Sequence, residues 1–159
     1  MTDAATGSLT FADSTVIAAS PEAVYALVAD VTRTGEWSPV CEACWWDEGD
    51  GPRVGATFTG RNVTPGRTWE TRCEVTVADE GRAFGWSVTG GNVLWTYTMR
   101  PVEGGTELTE SWEFTPQGQA FLAAKFPEDP EAQIAGREQA ARTGIPATLA
   151  RMKEILEQR

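Results

Sequence analysis

The sequence predicts an α+β domain: one antiparallel seven-stranded sheet covered by a long C-terminal helix, with two short helices after the first strand. Three observations carry this. Between Cys41 and Pro116, segments of period-two alternation are separated by the turn sequences EGDG, TPGR, DEGR, TGGN and EGGT. Before them, SPEAVYALVADV switches to helical spacing. After them, Ile134, Ala141, Ile145, Leu149, Met152 and Leu156 recur at helical spacing and form an apolar stripe suited to covering a sheet.

Taken in order, the stretch SLTFADSTVIAA is rich in apolar and β-branched residues and reads as the first strand. Ser20 can cap a helix, Pro21 suits its first turn, and Glu22 complements its positive end. Val24, Leu27, Val28 and Val31 then share one face, and TRTGEWS supplies a second short helix. Six strands joined by short turns follow and imply an antiparallel meander. In the later strands, parity groups Trp69, Thr71, Cys73, Val75 and Val77; then Phe84, Trp86 and Val88; then Trp95, Tyr97 and Met99; then Leu108, Glu110, Trp112 and Phe114. One face is therefore apolar and aromatic, the other solvated. QGQAFLAAKF is a short helix broken at PEDP, and the long helix after it should kink at Pro146, which lacks an N–H and crowds the preceding turn.

The length of 159 residues fits one domain, expected over residues 8–159 behind a disordered tail at 1–7. No apolar run approaches the ~20 residues that span a bilayer, and MTDAATGS has neither the basic region nor the apolar core of a signal peptide. A cytoplasmic location is expected, with no membrane insertion. Thirteen Lys and Arg against twenty-three Asp and Glu give a net charge of −10, which repels nucleic acid. The absence of histidine removes Ser-His-Asp and Cys-His catalysis and an imidazole base, so any chemistry falls to other groups. No cofactor and no metal is expected.

The segments VIAASPEAVYALVADVTRTGEWSP, VGATFTGRN, WETRCEV, GGTELTESWEF and ATLARMKEIL together resemble the START-like (SRPBCC) superfamily, in its polyketide cyclase/dehydrase and lipid-transport branch. The likeness runs from Ser8 to Leu156. It implies a helix-grip fold, in which a curved sheet wraps around the C-terminal helix and encloses a cavity for an apolar small molecule. Members of the superfamily include aromatase/cyclases, lipid and hormone binders and chaperone cofactors, and no motif here transfers a catalytic residue from any of them.

Glu110 is the one charged residue on its strand's apolar face, between Leu108 and Trp112. Buried in a cavity, its carboxyl would have a raised pKa and could act as general acid or base; alternatively it pairs with Arg61 or Arg137, or lies at the wet rim of the sheet. Tyr97 on the neighbouring strand could donate to a ligand carbonyl, or its ring could be core. Asn62 shares a face with Phe58 and could orient a polar group, or bond locally near its turn. Phe58, Trp69, Cys73, Trp86, Trp95, Met99 and Trp112, with Ile145 and Leu149 of the helix, are the expected ligand wall; a bulky core is the alternative. KFPEDPEA could gate such a cavity or be only a connector.

The sequence CEACWW contains a C-x-x-C, and the remaining cysteine, Cys73, cannot complete a four-thiolate zinc site. Placed on a strand, residues three apart point to opposite faces. Cys41 and Cys44 are therefore expected on opposite sides of the sheet, unable to share an ion or form an unstrained disulfide, and one of Trp45 or Trp46 must face inward.

These features support three functions. One is a binder of a hydrophobic, aromatic or polycyclic small molecule. Another is a polyketide-type cyclase or dehydratase, with Glu110 moving protons and Tyr97 or Asn62 polarising a carbonyl. The third is a protein-interaction module of the chaperone-cofactor kind, against which the scattered charge of the exposed strand faces argues. Oligomeric state is not legible.

Overall fold

The computed structural model describes residues 7–49 and 51–158; all but Gly7 of the tail expected at 1–7 lies outside them. Strand β1 (Leu9–Ile17) leads into helix α1 (Pro21–Val28) and a 3-10 helix (Val31–Glu36). Strands β2 (Cys41–Trp46), β3 (Thr57–Thr64), β4 (Arg67–Asp79), β5 (Ala83–Val88), β6 (Val93–Val102) and β7 (Gly105–Phe114) form the meander. Helices α2 (Pro116–Lys125) and α3 (Pro130–Glu157) complete the chain. All strand pairs are antiparallel, in the order β1-β7-β6-β5-β4-β3-β2. The first strand thus pairs with the last, and α1 and the 3-10 helix carry the chain to the opposite edge of the sheet.

The expected Ser20 cap forms, and Asp30 and Thr115 cap two further helices. Ser20 Oγ accepts from the Ala23 amide at 3.1 Å, and Asp30 Oδ1 accepts from the Thr32 amide at 3.2 Å. Thr115 Oγ1 accepts from the Gly118 amide at 3.0 Å, which starts α2 directly after β7. Gly118 is required there, because a Cβ would lie 2.1 Å from the Asn92 carbonyl oxygen. Helix α3 continues as one element through Pro146, whose ring lies on the exposed side. It packs chiefly against β1, β7 and α2, burying Ala141, Ile145, Leu149 and Met152.

Parity holds along β7, where buried and half-buried residues alternate without a break. It fails at two bulges. In β4 the register shifts between Val75, opposite Trp86, and Val77, opposite Gly85. Ala78, opposite Phe84, therefore takes the inward position expected of Val77. In β2 it shifts between Cys41, opposite Asn62, and Ala43, opposite Arg61. Glu42 is the extra residue, so Glu42 and Ala43 both lie on the Arg61 side, and Glu42 approaches that guanidinium at 3.9 Å. Cys41 and Cys44 consequently face the same way, and their sulfurs are 3.3 Å apart. The expected separation of the two thiols across the sheet is wrong, because a bulge changes a spacing of three from odd to even. Beyond the bulge, Trp46 lies opposite Phe58 and faces inward, while Trp45 lies outside, 5.2 Å from the Arg61 guanidinium carbon.

Candidate functional site on the concave face

The inward side chains of β2 to β7 form an aromatic band across the sheet. Trp46 meets Phe58 edge-on at 5.6 Å, Phe58 meets Trp86 edge-on at 5.6 Å, and Trp86 stacks on Trp95 at 6.4 Å with 24° between the planes. Tyr97 lies 5.9 Å from Trp86, and Trp112 lies opposite Trp95 on β7. Phe58, Met99, Trp112, Ile145 and Leu149 are buried, whereas Trp46, Trp69, Trp86 and Trp95 remain half-buried. The Cys73 thiol is buried between Phe58 and Val88, and desolvation pushes it up to about 12.

Glu110 is buried, 4% exposed, and neither alternative partner reaches it. Arg61 lies on the other face, between Glu42 and Glu70, and Arg137 lies over the Trp69 ring. Instead the Tyr97 hydroxyl donates to Glu110 Oε2 at 3.0 Å, directly across the β6–β7 ladder. Glu110 Oε1 is fully buried and has no hydrogen-bond partner. Desolvation pushes the carboxyl up to about 8, against the lowering effect of the tyrosine hydroxyl. Near neutrality it is therefore an acid with a proton to donate. Tyr97 is raised in turn, by its own burial and then by Glu110.

Asn62 does not join this pair. Strands β4, β5 and β6 separate it from β7, and its amide donates to Thr71 Oγ1 at 3.3 Å and to the Trp69 carbonyl at 3.5 Å. Two arginines lie against Trp69, the residue opposite Asn62 on β4: Arg67, which sequence reasoning passed over, and Arg137, which it weighed only as a partner for Glu110. Arg67 is 4.3 Å from the Trp69 ring centre and 5.7 Å from that of Phe126, and Arg137 is 5.9 Å from Trp69. Desolvation and then the charge of Arg67 lower the Arg137 pKa. Among the described residues, no carboxylate forms an ion pair with either guanidinium. The signal was present: Arg67 has the strand parity of Trp69, and Arg137 shares the helical face of Ile134 and Ala141. Phe126 belongs to KFPEDPEA, so this connector rests against the start of β4.

Two surface hollows, of about 600 and 540 Å³, lie elsewhere. One runs between Glu22, Arg82, Arg100 and Glu107, the other between Ala18 and Leu156. Neither contains Glu110, Tyr97 or a tryptophan.

A seven-stranded antiparallel sheet gripping a C-terminal helix is the helix-grip arrangement of START-like proteins. The chain belongs to the polyketide cyclase/dehydrase and lipid transport family, whose model matches residues 8–157. It is 65% identical to the polyketide-cyclase-like protein Cgl2372 of Corynebacterium glutamicum, with a TM-score of 0.72 over 94% of this chain and 92% of that one. Protein CV1439 of Chromobacterium violaceum shares the fold at 19% identity, with a TM-score of 0.68 over 95% and 99% of the two chains. So does the di-domain aromatase/cyclase StfQ of the steffimycin biosynthetic pathway, at 17% identity and a TM-score of 0.71, covering 94% of this chain and 51% of StfQ. No curated protein matches. Among the described residues, no helix is long and apolar enough to cross a membrane, and no group of three or more Cys, Asp or Glu is placed to hold a metal ion.

Proposed function

We propose that the protein binds a hydrophobic, aromatic or polycyclic small molecule against the concave band of Trp46, Phe58, Trp86 and Trp95. Glu110 is the hydrogen-bonding group deep in the site, and Arg67 and Arg137 receive an acidic substituent at the Trp69 end. The observation that carries this reading is Glu110 Oε1, a buried polar atom without a partner. Such an atom costs about 1–3 kcal/mol, which a ligand carbonyl or hydroxyl would recover. The half-buried tryptophans supply flat area for stacking, and the family's own description couples polyketide chemistry with lipid transport. Glu110 is 4% exposed, so a ligand reaches its carboxyl by movement of these rings or of the α2–α3 connector. Titration with anilinonaphthalene sulfonate, a bicyclic dye with an acidic group, should give a saturable change in tryptophan fluorescence that Glu110→Leu weakens. No saturable change, together with no small molecule in native mass spectra of protein from its own host, would sink the proposal.

The raised pKa of Glu110 supports a second reading, a cyclase or dehydratase in which this carboxyl transfers a proton while Tyr97 holds it in place. Glu110→Gln separates the two. An amide still donates a hydrogen bond but cannot deliver a proton, so turnover of an identified polyketide should vanish while binding survives. Unchanged turnover would remove the proton-transfer role.

A further inference from the structure

The Cys41–Cys44 pair takes no part in that reading, and its geometry is not that of two unrelated core cysteines. The β2 bulge turns both side chains to one face, with their sulfurs 3.3 Å apart. Opposite Cys44 on β3 is Gly60, where a Cβ would lie 3.2 Å from each sulfur. A side chain at position 60 would therefore crowd both thiols. Both cysteines are half-buried on an edge strand, so a small reagent can reach them. Cys73 is buried.

We propose that Cys41 and Cys44 form a thiol–disulfide exchange site that reacts with low-molecular-weight disulfides and closes to an intramolecular disulfide. A disulfide needs its sulfurs at about 2.05 Å, so rotation of the two thiols over little more than an ångström closes the pair. Metal chelation fits less well. Tetrahedral zinc needs four ligands, and among the described residues no third metal-ligating group stands with these two.

The two thiols have different roles. The Cys41 S–H has the Cys44 sulfur and the Ala43 carbonyl oxygen both within 3.3 Å. The Cys44 thiol is lowered, chiefly by the hydrogen bond from Cys41 and less by the Thr34 hydroxyl, while the Cys41 thiol is raised by the same contact and by burial. The Ala43 carbonyl can only accept, so it holds the proton on Cys41, and the first attack is assigned to Cys44. Cys44 displaces one thiolate from the small disulfide RSSR and forms the mixed disulfide Cys44–S–SR. Cys41, on losing its proton, attacks the Cys44 sulfur of that adduct; the bond to SR breaks and the Cys41–Cys44 bond forms. The two protons leave with the released thiolates, giving two RSH. The protein dithiol is oxidised by two electrons, and the small disulfide is reduced by the same two.

The test is exposure of the folded protein to oxidised glutathione, followed by an acid quench, denaturation, alkylation of the remaining thiols and intact mass measurement. The oxidised product should carry one alkyl group, on Cys73, no glutathione, and a mass two hydrogens below that of a protein with two further free thiols. Proteolysis should locate the link between Cys41 and Cys44. Cys41→Ser should stop with one glutathione on Cys44, and Cys44→Ser should react about tenfold more slowly. Three alkylated cysteines at every glutathione concentration would overturn the proposal, as would a link from either cysteine to Cys73. Equal rates for the two serine variants would overturn the assignment of Cys44 as the attacking group. The wild-type link needs no variant, so the proposal stays testable if a serine variant fails to fold.

Discussion

The concave face has two ends that differ in how they are closed. At the end under α1, Ile17, Val24, Val75, Phe84 and Leu108 are each 0% exposed, and Tyr25 of α1 meets Phe84 edge-on at 6.2 Å. At the other end, Trp46, Trp69, Trp86 and Trp95 keep part of their surface in water, covered only in part by Phe126 and the arginines. Both ends are built from large apolar residues, yet only one is sealed. The difference separates stability from recognition: rings left half-wet contribute less burial energy than their size allows, and what they offer is surface for another molecule.

That contrast fails most visibly if the open end proves to be core. Leu108→Ala removes a fully buried side chain and should cost about 2–5 kcal/mol of stability by chemical denaturation. Trp95→Ala deletes a larger but half-buried ring and should cost less than Leu108→Ala, while abolishing most of the dye response. Equal losses of stability would mean that the tryptophans hold the fold together as Leu108 does, and that the band is not a binding surface.

The next effect comes from the boundary between the two ends, where Glu110 is flanked by Tyr97 on β6 and by Asp13 on β1. A carboxyl raised from 4.5 to about 8 stays protonated in the folded chain and ionises in the unfolded one across that window. The folded state then binds the extra proton, so stability falls by about 1.4 kcal/mol per pH unit as pH rises from 4.5 to about 8, and levels off above. Carboxylates held below their usual range, such as Glu36 beside Arg33, act in the opposite sense at lower pH. The difference between wild type and Glu110→Gln isolates the Glu110 contribution. The variant should lack the decline and be the more stable protein at about pH 8. Parallel melting curves for the two across the window would show that Glu110 is ionised or solvated.

Period-two alternation was a sufficient guide wherever the ladder is regular. Along β7 it put Glu110 among Leu108, Trp112 and Phe114, and the structure buries all four. It failed at Glu42 and at Thr76, where one extra residue reverses every later face, because a single-residue bulge leaves no mark in hydrophobic pattern. Gly60 opposite the cysteines was the nearest hint, since a strand glycine marks a close approach. Which carboxyl is buried could be inferred from one strand. That Asn62 lies four strands away from it, and that Arg137 belongs with Trp69 instead, depends on which strands are neighbours and where the last helix crosses them. Nothing in the alternation of a single strand carries that information.

The smallest expected change in stability is at the outer limit of the open end. Arg67 and Arg137 share the Trp69 ring, and the Arg137 pKa is lowered first by burial and then by the like charge of Arg67. Arg137→Ala removes a cation–π contact worth about 0.5–1 kcal/mol and relieves that repulsion, so the two effects offset and the melting temperature should hardly move. An acidic ligand reverses the balance, because an anion between two guanidiniums turns a repulsive pair into charge-assisted hydrogen bonds. Arg137→Ala should therefore weaken the sulfonated dye about tenfold while leaving an uncharged naphthalene analogue unaffected. If both dyes lose affinity equally, Arg137 shapes the wall of the site and does not read charge; if neither does, the acidic group of the ligand lies elsewhere and the Trp69 end is only a rim.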